Sequence, residues 1–153
     1  KVLADALHLE LKDVRDSLLL LFSFVYNRDK MMRARNAFGM HKRENIANAL
    51  EVIEIEVPKE ISLKFNKLFE PGTIDDKCNT MSAYFKEKLT YEAIVDDILD
   101  NVDYIFHRWT KAAALHSVIF YRGQEKVKWL HWAEKENDIL LKEAAQKILA
   151  EMN

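Results

Sequence analysis

Five histidines, one cysteine and a run of carboxylates are the side chains best suited to chemistry in this 153-residue sequence. A zinc site needs ligands converging on one point, and no HExxH, paired CxxC or Glu-x-x-His spacing occurs. His116 lies four residues after Ala112 and three before Ile119, on the apolar stripe of its helix, and reads as a hydrogen-bonded core histidine. His107 follows Asp103 by four residues and shares a face with Lys111, the pattern of a surface pair. Glu92, Asp96, Asp97, Asp100 and Asp103 form an acidic run. As a catalytic pair, two of them would need burial to separate their pKa values. Instead Glu92, Asp96 and Asp100 or Asp103 align opposite Ile94, Val95 and Ile98, which marks a solvated face or one meeting a basic partner. Cys78 falls on the stripe of Ile74, Met81 and Phe85 and reads as a structural thiol. Three glycines and no G-x-S-x-G leave neither a nucleophile elbow nor a phosphate-cradling loop. No catalytic residue, metal ligand or cofactor is expected, and the chain reads as a non-enzyme.

Binding residues stand out more clearly. Arg28, Lys30, Arg33, Arg35, Lys42 and Arg43 face Asp29 alone in their segment, although the chain has a formal charge of −2. They form a candidate surface for an anionic partner, whether phosphate, anionic lipid or an acidic protein. Trp109, Trp129 and Trp132 lie near Arg108, Arg122, Lys126 and Lys128, a mixture that nucleic-acid binders use. Trp109 shares a stripe with Ile105 and Ala112, and Trp129 flanks Leu130 and Ala133, so both are expected in the core. Trp132 is the tryptophan expected at the surface. The acidic run at 92–103 interrupts any basic stripe, and nucleic acid is not the expected partner.

Helices must position all of these residues. The spacing predicts a first helix over 3–26, with Leu11, Val14, Leu18, Leu21, Phe22 and Val25 on its buried stripe. The almost wholly apolar run from Leu18 to Val25 is too short to span a bilayer and reads as a helix buried on several sides. Asp29 is expected to cap a short helix ended by Gly39, with Met31, Ala34 and Phe38 inward. The next runs over 43–56 and buries Ile46, Ala49, Leu50 and Ile53. Pro58 opens a helix carrying Ile61, Phe65 and Leu68, closed by Pro71-Gly72. Thr73 and Asp76 form a capping-box variant, and Thr90 caps the segment of Ile94, Val95, Ile98, Leu99 and Val102. Asp103 starts a helix to about Tyr121, followed by 125–136 and 139–152. No segment alternates with period two long enough to be a strand. About nine short helices result, and the fold class is all-α, as a solenoid of short antiparallel pairs or, alternatively, a compact bundle.

Composition agrees. The chain is long enough for one domain with its own core, and its 49% hydrophobic and 31% charged content suits a globular protein. One cysteine excludes an internal disulfide, and a cytosolic setting is the default. The N-terminal segment lacks the basic region and cleavage site of a signal peptide. It starts at Lys1, within a helical period, and reads as a piece of something longer.

A small residue beside leucine returns at Ala49-Leu50, Ala114-Leu115 and around Ala144-Ala145 with Ile148-Leu149. The intervals from Leu50 to Leu115 to Leu149 are 65 and 34 residues, the shorter within the range of helical-hairpin repeats. These residues resemble HEAT-type repeats. Their order adds a narrower resemblance: a long apolar helix ending near Tyr26, a short basic helix, then Asn48 to Glu54. The Pro58 helix with Lys64 to Glu70, the small-residue helix at 111–115 and the final helix opened by Asp138 follow. Together they are similar to the soluble HEAT-like region that follows the membrane part of bacterial transporters related to ATP/ADP translocases. The resemblance covers most of 3–152 and rests on packing motifs. It implies a cytosolic, non-enzymatic interaction or regulatory module of a nucleotide or metabolite transporter. Its partner would be the membrane portion of the same polypeptide or another protein, at the cytoplasmic face of the inner membrane. It implies no transport residue here. The alternatives are a HEAT-like DNA-binding or DNA-glycosylase-type protein using Trp132, and a free-standing helical ligand- or partner-binding protein.

Overall fold

A computed structural model describes residues 1–84, 89–100, 106–120 and 126–152. Among these, nine α-helices and one 3-10 turn account for all regular structure, and the all-α class holds. The helices are α1 (Val2–Val25), α2 (Arg28–Gly39), α3 (Arg43–Glu56), α4 (Lys59–Phe69), α5 (Ile74–Met81), α6 (Tyr91–Asp100), α7 (Arg108–Ser117), α8 (Lys126–Lys135) and α9 (Ile139–Met152). The 3-10 turn, Val118–Phe120, follows α7 directly. No helix among the described residues is long and apolar enough to cross a membrane.

The chain divides into two compact units, one of Lys12–Lys88 and one of Lys1–Leu11 with Leu89–Asn153. In the 12–88 unit, α2 packs on α3, α3 on α4 and α4 on α5. Its core holds Leu19, Met31, Phe38, Leu50, Ile53 and Phe65. Phe65 is its aromatic centre, with ring centroids 4.6 Å from Phe69, 5.8 Å from Phe22 and 6.2 Å from Phe38. In the other unit α7 and α8 both pack on α9, and α6 on α7. Val95, Ile98, Leu99, Leu115, Trp129 and Ile148 lie at its centre. The recurring small-plus-leucine pairs are core: Ala49, Leu50, Ala114, Leu115 and Ala145 are all buried.

Several local expectations hold. Thr73 and Asp76 close a reciprocal capping box on α5. Thr90 Oγ1 accepts from Ala93 N at 3.2 Å, and Asp138 Oδ1 from Leu140 N at 2.8 Å, as caps of α6 and α9.

Others are corrected. The cap of α2 is Asn27, whose Oδ1 accepts from Lys30 N at 3.1 Å, and Asp29 sits in the first turn. Gly39 is the last helical residue of α2, and the left-handed residue is His41, with φ 55°. Pro58 is the residue before α4 rather than in its first turn. On α5 no side chain is buried, and Ile74 and Cys78 are exposed. Phe85, Val102, Asp103, Ile105 and Tyr121 lie outside the described residues.

The largest correction is the phase of α1. Val14, Leu21 and Val25 face water, Leu18 and Phe22 pack half-buried against the core, and Glu10, Leu19 and Ser23 are the buried residues. The run of leucines from 18 to 21 carries no polar residue to fix its phase. Two polar members of the buried stripe then disguise it. Arg15 stacks its guanidinium 4.7 Å over Phe38 while bonding Asp16, and Ser23 turns its hydroxyl back to Leu20 O at 2.6 Å.

The helix expected from Asp103 begins at Arg108, and the acid at its start comes from far upstream. Glu10 Oε1 accepts from His107 N at 2.7 Å and from the Thr110 hydroxyl. A carboxylate thus satisfies donors of the first turn of α7, where the helix dipole also favours negative charge.

Candidate functional site

α2 and α3 meet along small residues. Met31, Ala34 and Phe38 turn inward from α2, while Lys30, Arg33 and Ala37 flank α3. Ala34, Ala37 and Ala49 are too short to fill the seam, and a groove of about 590 Å³ opens between the helices. Val52, Ile55 and Met40 extend its apolar wall, and Asn36, Asn45 and Asn48 supply amides. Lys30 Nζ pairs with Glu56 Oε1 across one end, tying α2 to α3. Asn45 Nδ2 lies 3.3 Å from Met40 Sδ and restrains that side chain. Arg33 is exposed and makes no ion pair with a described residue. The groove therefore offers an apolar floor, hydrogen-bonding amides and one surplus cation.

Of the six candidate cations, Lys30 and Arg33 line this groove. Arg28 and Arg35, two helical turns apart, run along the other flank of α2. Lys42 immediately precedes α3 and Arg43 opens it, both exposed. The segment is one in sequence and three places in space. Nothing in its charge pattern signals the groove, and the alanines at 34, 37 and 49 that floor it are equally the mark of closely packed helices.

A second concavity, about 270 Å³, lies in the other unit between Val2 of α1, Trp109, Ala112, Ala113 and His116 of α7, and Ala144, Lys147, Ile148 and Glu151 of α9. Here three expectations are corrected. Trp109 is 66% exposed, and His116 faces water with its ring 6.4 Å from that of Phe120. The inward face of α7 is Thr110, Ala113, Ala114 and Leu115, so Trp109 and His116, seven residues apart, share the outward one. Trp132, expected at the surface, is half-buried, with Lys111 Nζ 5.9 Å from its ring centroid. Trp129 is core as expected, 2% exposed. Iodide should therefore quench chiefly Trp109. The Trp109→Phe protein is expected to lose most quenchable emission, and Trp129→Phe to retain it; equal loss from both would contradict this placement.

The acidic run is partly structural. Asp96 Oδ1 accepts from Trp129 Nε1 at 2.6 Å and lies 3.1 Å from Lys128 Nζ, joining α6 to α8. The indole bond holds the Asp96 carboxyl below its ordinary value of 3.8, against a smaller opposing effect of burial, and Lys128 adds to the lowering. Asp97 and Asp100 are exposed, Glu92 is half-buried, and Asp103 lies outside the described residues. Because the folded pKa is depressed, Asp96 contributes stability above pH 3.8, and that contribution is lost as pH falls through the folded value. In urea titrations, Asp96→Ala should cost about 1–2 kcal/mol at pH 7, with the gap to the parent shrinking below about pH 4. A gap independent of pH would contradict the assignment.

No group of three or more His, Cys, Asp or Glu side chains that could hold a metal occurs among the described residues. His107 is exposed, its Nε2 3.9 Å from Glu10 Oε2. Compared with family models, with curated proteins and with solved structures, the chain matches none.

Proposed function

We propose that this chain is a non-enzymatic interaction module whose α2–α3 groove receives a segment of a partner. The observation that carries the reading is the groove itself: an alanine-floored seam of about 590 Å³ with Arg33 at its wall. A segment offering apolar side chains to Ala34, Ala37 and Val52 and a carboxylate to Arg33 would satisfy both parts of the surface. The resemblance to the HEAT-like region of ATP/ADP translocase-type carriers supplies the context. In that reading the module is a HEAT-like solenoid at the cytoplasmic face of a bacterial inner membrane. Its partner is the membrane portion of a nucleotide or metabolite transporter.

The test is a photo-crosslinking residue placed at Asn48 in the groove and, as control, at exposed Glu143 of α9. In native cells, the Asn48 adduct is expected to contain peptides of a carrier-type membrane sequence that the Glu143 adduct lacks. Identical adducts from the two positions, or none from Asn48, would overturn the groove as the contact surface. The reading as a free-standing ligand binder keeps one observation in its favour, the Trp109 pocket, and a ligand there would shift Trp109 emission.

A further inference from the structure

The last turns of α1 leave large apolar side chains in water. Phe24 is 78% and Val25 72% exposed, and Leu20 and Leu21 are exposed beside them. Leu20 with Phe24 and Leu21 with Val25 stand four residues apart, so the four form two adjacent rows on one face. A contiguous exposed patch of this kind on a globular protein marks a contact surface. Arg28 opens α2 three residues after Val25, exposed and without an ion pair to any described residue. The link is short and held: Tyr26 N bonds Phe22 O at 2.8 Å, and Asn27 caps α2. Arg35, half-buried, lies two turns further along the same side of α2 as Arg28.

Apolar rows bordered by arginine suit the interface of an anionic bilayer. Side chains there enter the boundary of headgroups and acyl chains by ~5–10 Å, while cations stay among the phosphates. We propose that the end of α1 and the start of α2 dock on an anionic lipid surface. Phe24, Val25 and Leu21 enter the acyl boundary and Arg28 meets a headgroup phosphate. A second copy of the chain fits this face less well. Four partly exposed side chains present far less than the ~800 Å² per partner of a standard protein interface, and a dimer would leave the arginine flank unused. Arg28 and Arg33 lie on opposite flanks of α2, so this surface does not depend on the groove reading.

The test is cosedimentation of the chain with phosphatidylcholine vesicles, with and without phosphatidylserine. Binding is expected only with phosphatidylserine, and it should weaken as salt is raised. Arg28→Gln should weaken it about fivefold, the worth of one cation at an anionic surface. Phe24→Asp should weaken it at least about tenfold. Both positions are exposed, so circular dichroism and melting of each variant should match the parent. Equal binding to both vesicles, no binding to either, or binding unchanged by Phe24→Asp would overturn the proposal. So would a concentration-dependent dimer in ultracentrifugation that Phe24→Asp abolishes while vesicle binding is absent; that result would assign the face to a second copy.

Discussion

Ile53→Asp is expected to abolish the cooperative unfolding of the 12–88 unit. Ile53 is completely buried among Leu19, Met31, Phe38 and Phe65, and Arg15, stacked on Phe38, is already paired with Asp16. Burying an isolated charge costs several kcal/mol even after its pKa shifts. Natural domains hold only about 5–15 kcal/mol in total, so one such residue decides the outcome. The conservative Ile53→Val should cost about 1 kcal/mol, since it removes a single methylene. Hydrogen exchange at α2 and α3 amides reads both: lost protection for Ile53→Asp, a small uniform decrease for Ile53→Val. Parent-like protection in Ile53→Asp would show that α3 is turned the other way.

Glu10→Ala should cost about 2–4 kcal/mol, a large effect for a carboxylate with no role in chemistry. The side chain is 9% exposed and accepts from His107 N and the Thr110 hydroxyl, so removing it strands the donors that begin α7. Hydrogen bonds to a charged acceptor are worth about 1.5–3 kcal/mol each, and the two act on one group, so they do not simply add. Glu10→Gln keeps an oxygen in place and loses only the charge at the helix terminus, so about half the cost is expected. Urea midpoints at unchanged slope would report both. An alanine variant within about 0.5 kcal/mol of the parent would mean that water replaces the carboxylate and that α7 needs no remote cap.

These two residues also mark how far the sequence could be read. Ile53 was legible because polar neighbours at Glu51, Glu54 and Glu56 fix the phase of α3, and a helical period then points Ala49, Leu50 and Ile53 inward. Thr73, Thr90 and Asp138 were legible for a related reason: a cap acts within three residues, so its signal is local. Glu10 was not, because its partners lie about a hundred residues downstream and no local pattern joins them. On α1, eight residues almost without polarity leave the helix certain and its orientation free, so the exposed Leu21 and Val25 passed for core. Trp109 and His116 failed through composition: alanines supply the inward face of α7, which makes the bulky outward residues look like the apolar side. The groove failed through geometry. Small residues can let helices close up or leave a seam open, and the neighbouring side chains decide which.

The proposed attachment to a membrane carrier would show in the size of the protein in native cells. An antibody against this chain is applied to membrane and soluble fractions, the membranes washed in high salt to strip peripheral proteins. A salt-resistant membrane band far larger than 18.0 kDa is expected. A band near 18.0 kDa in the soluble fraction, or one released from membranes by salt, would contradict it.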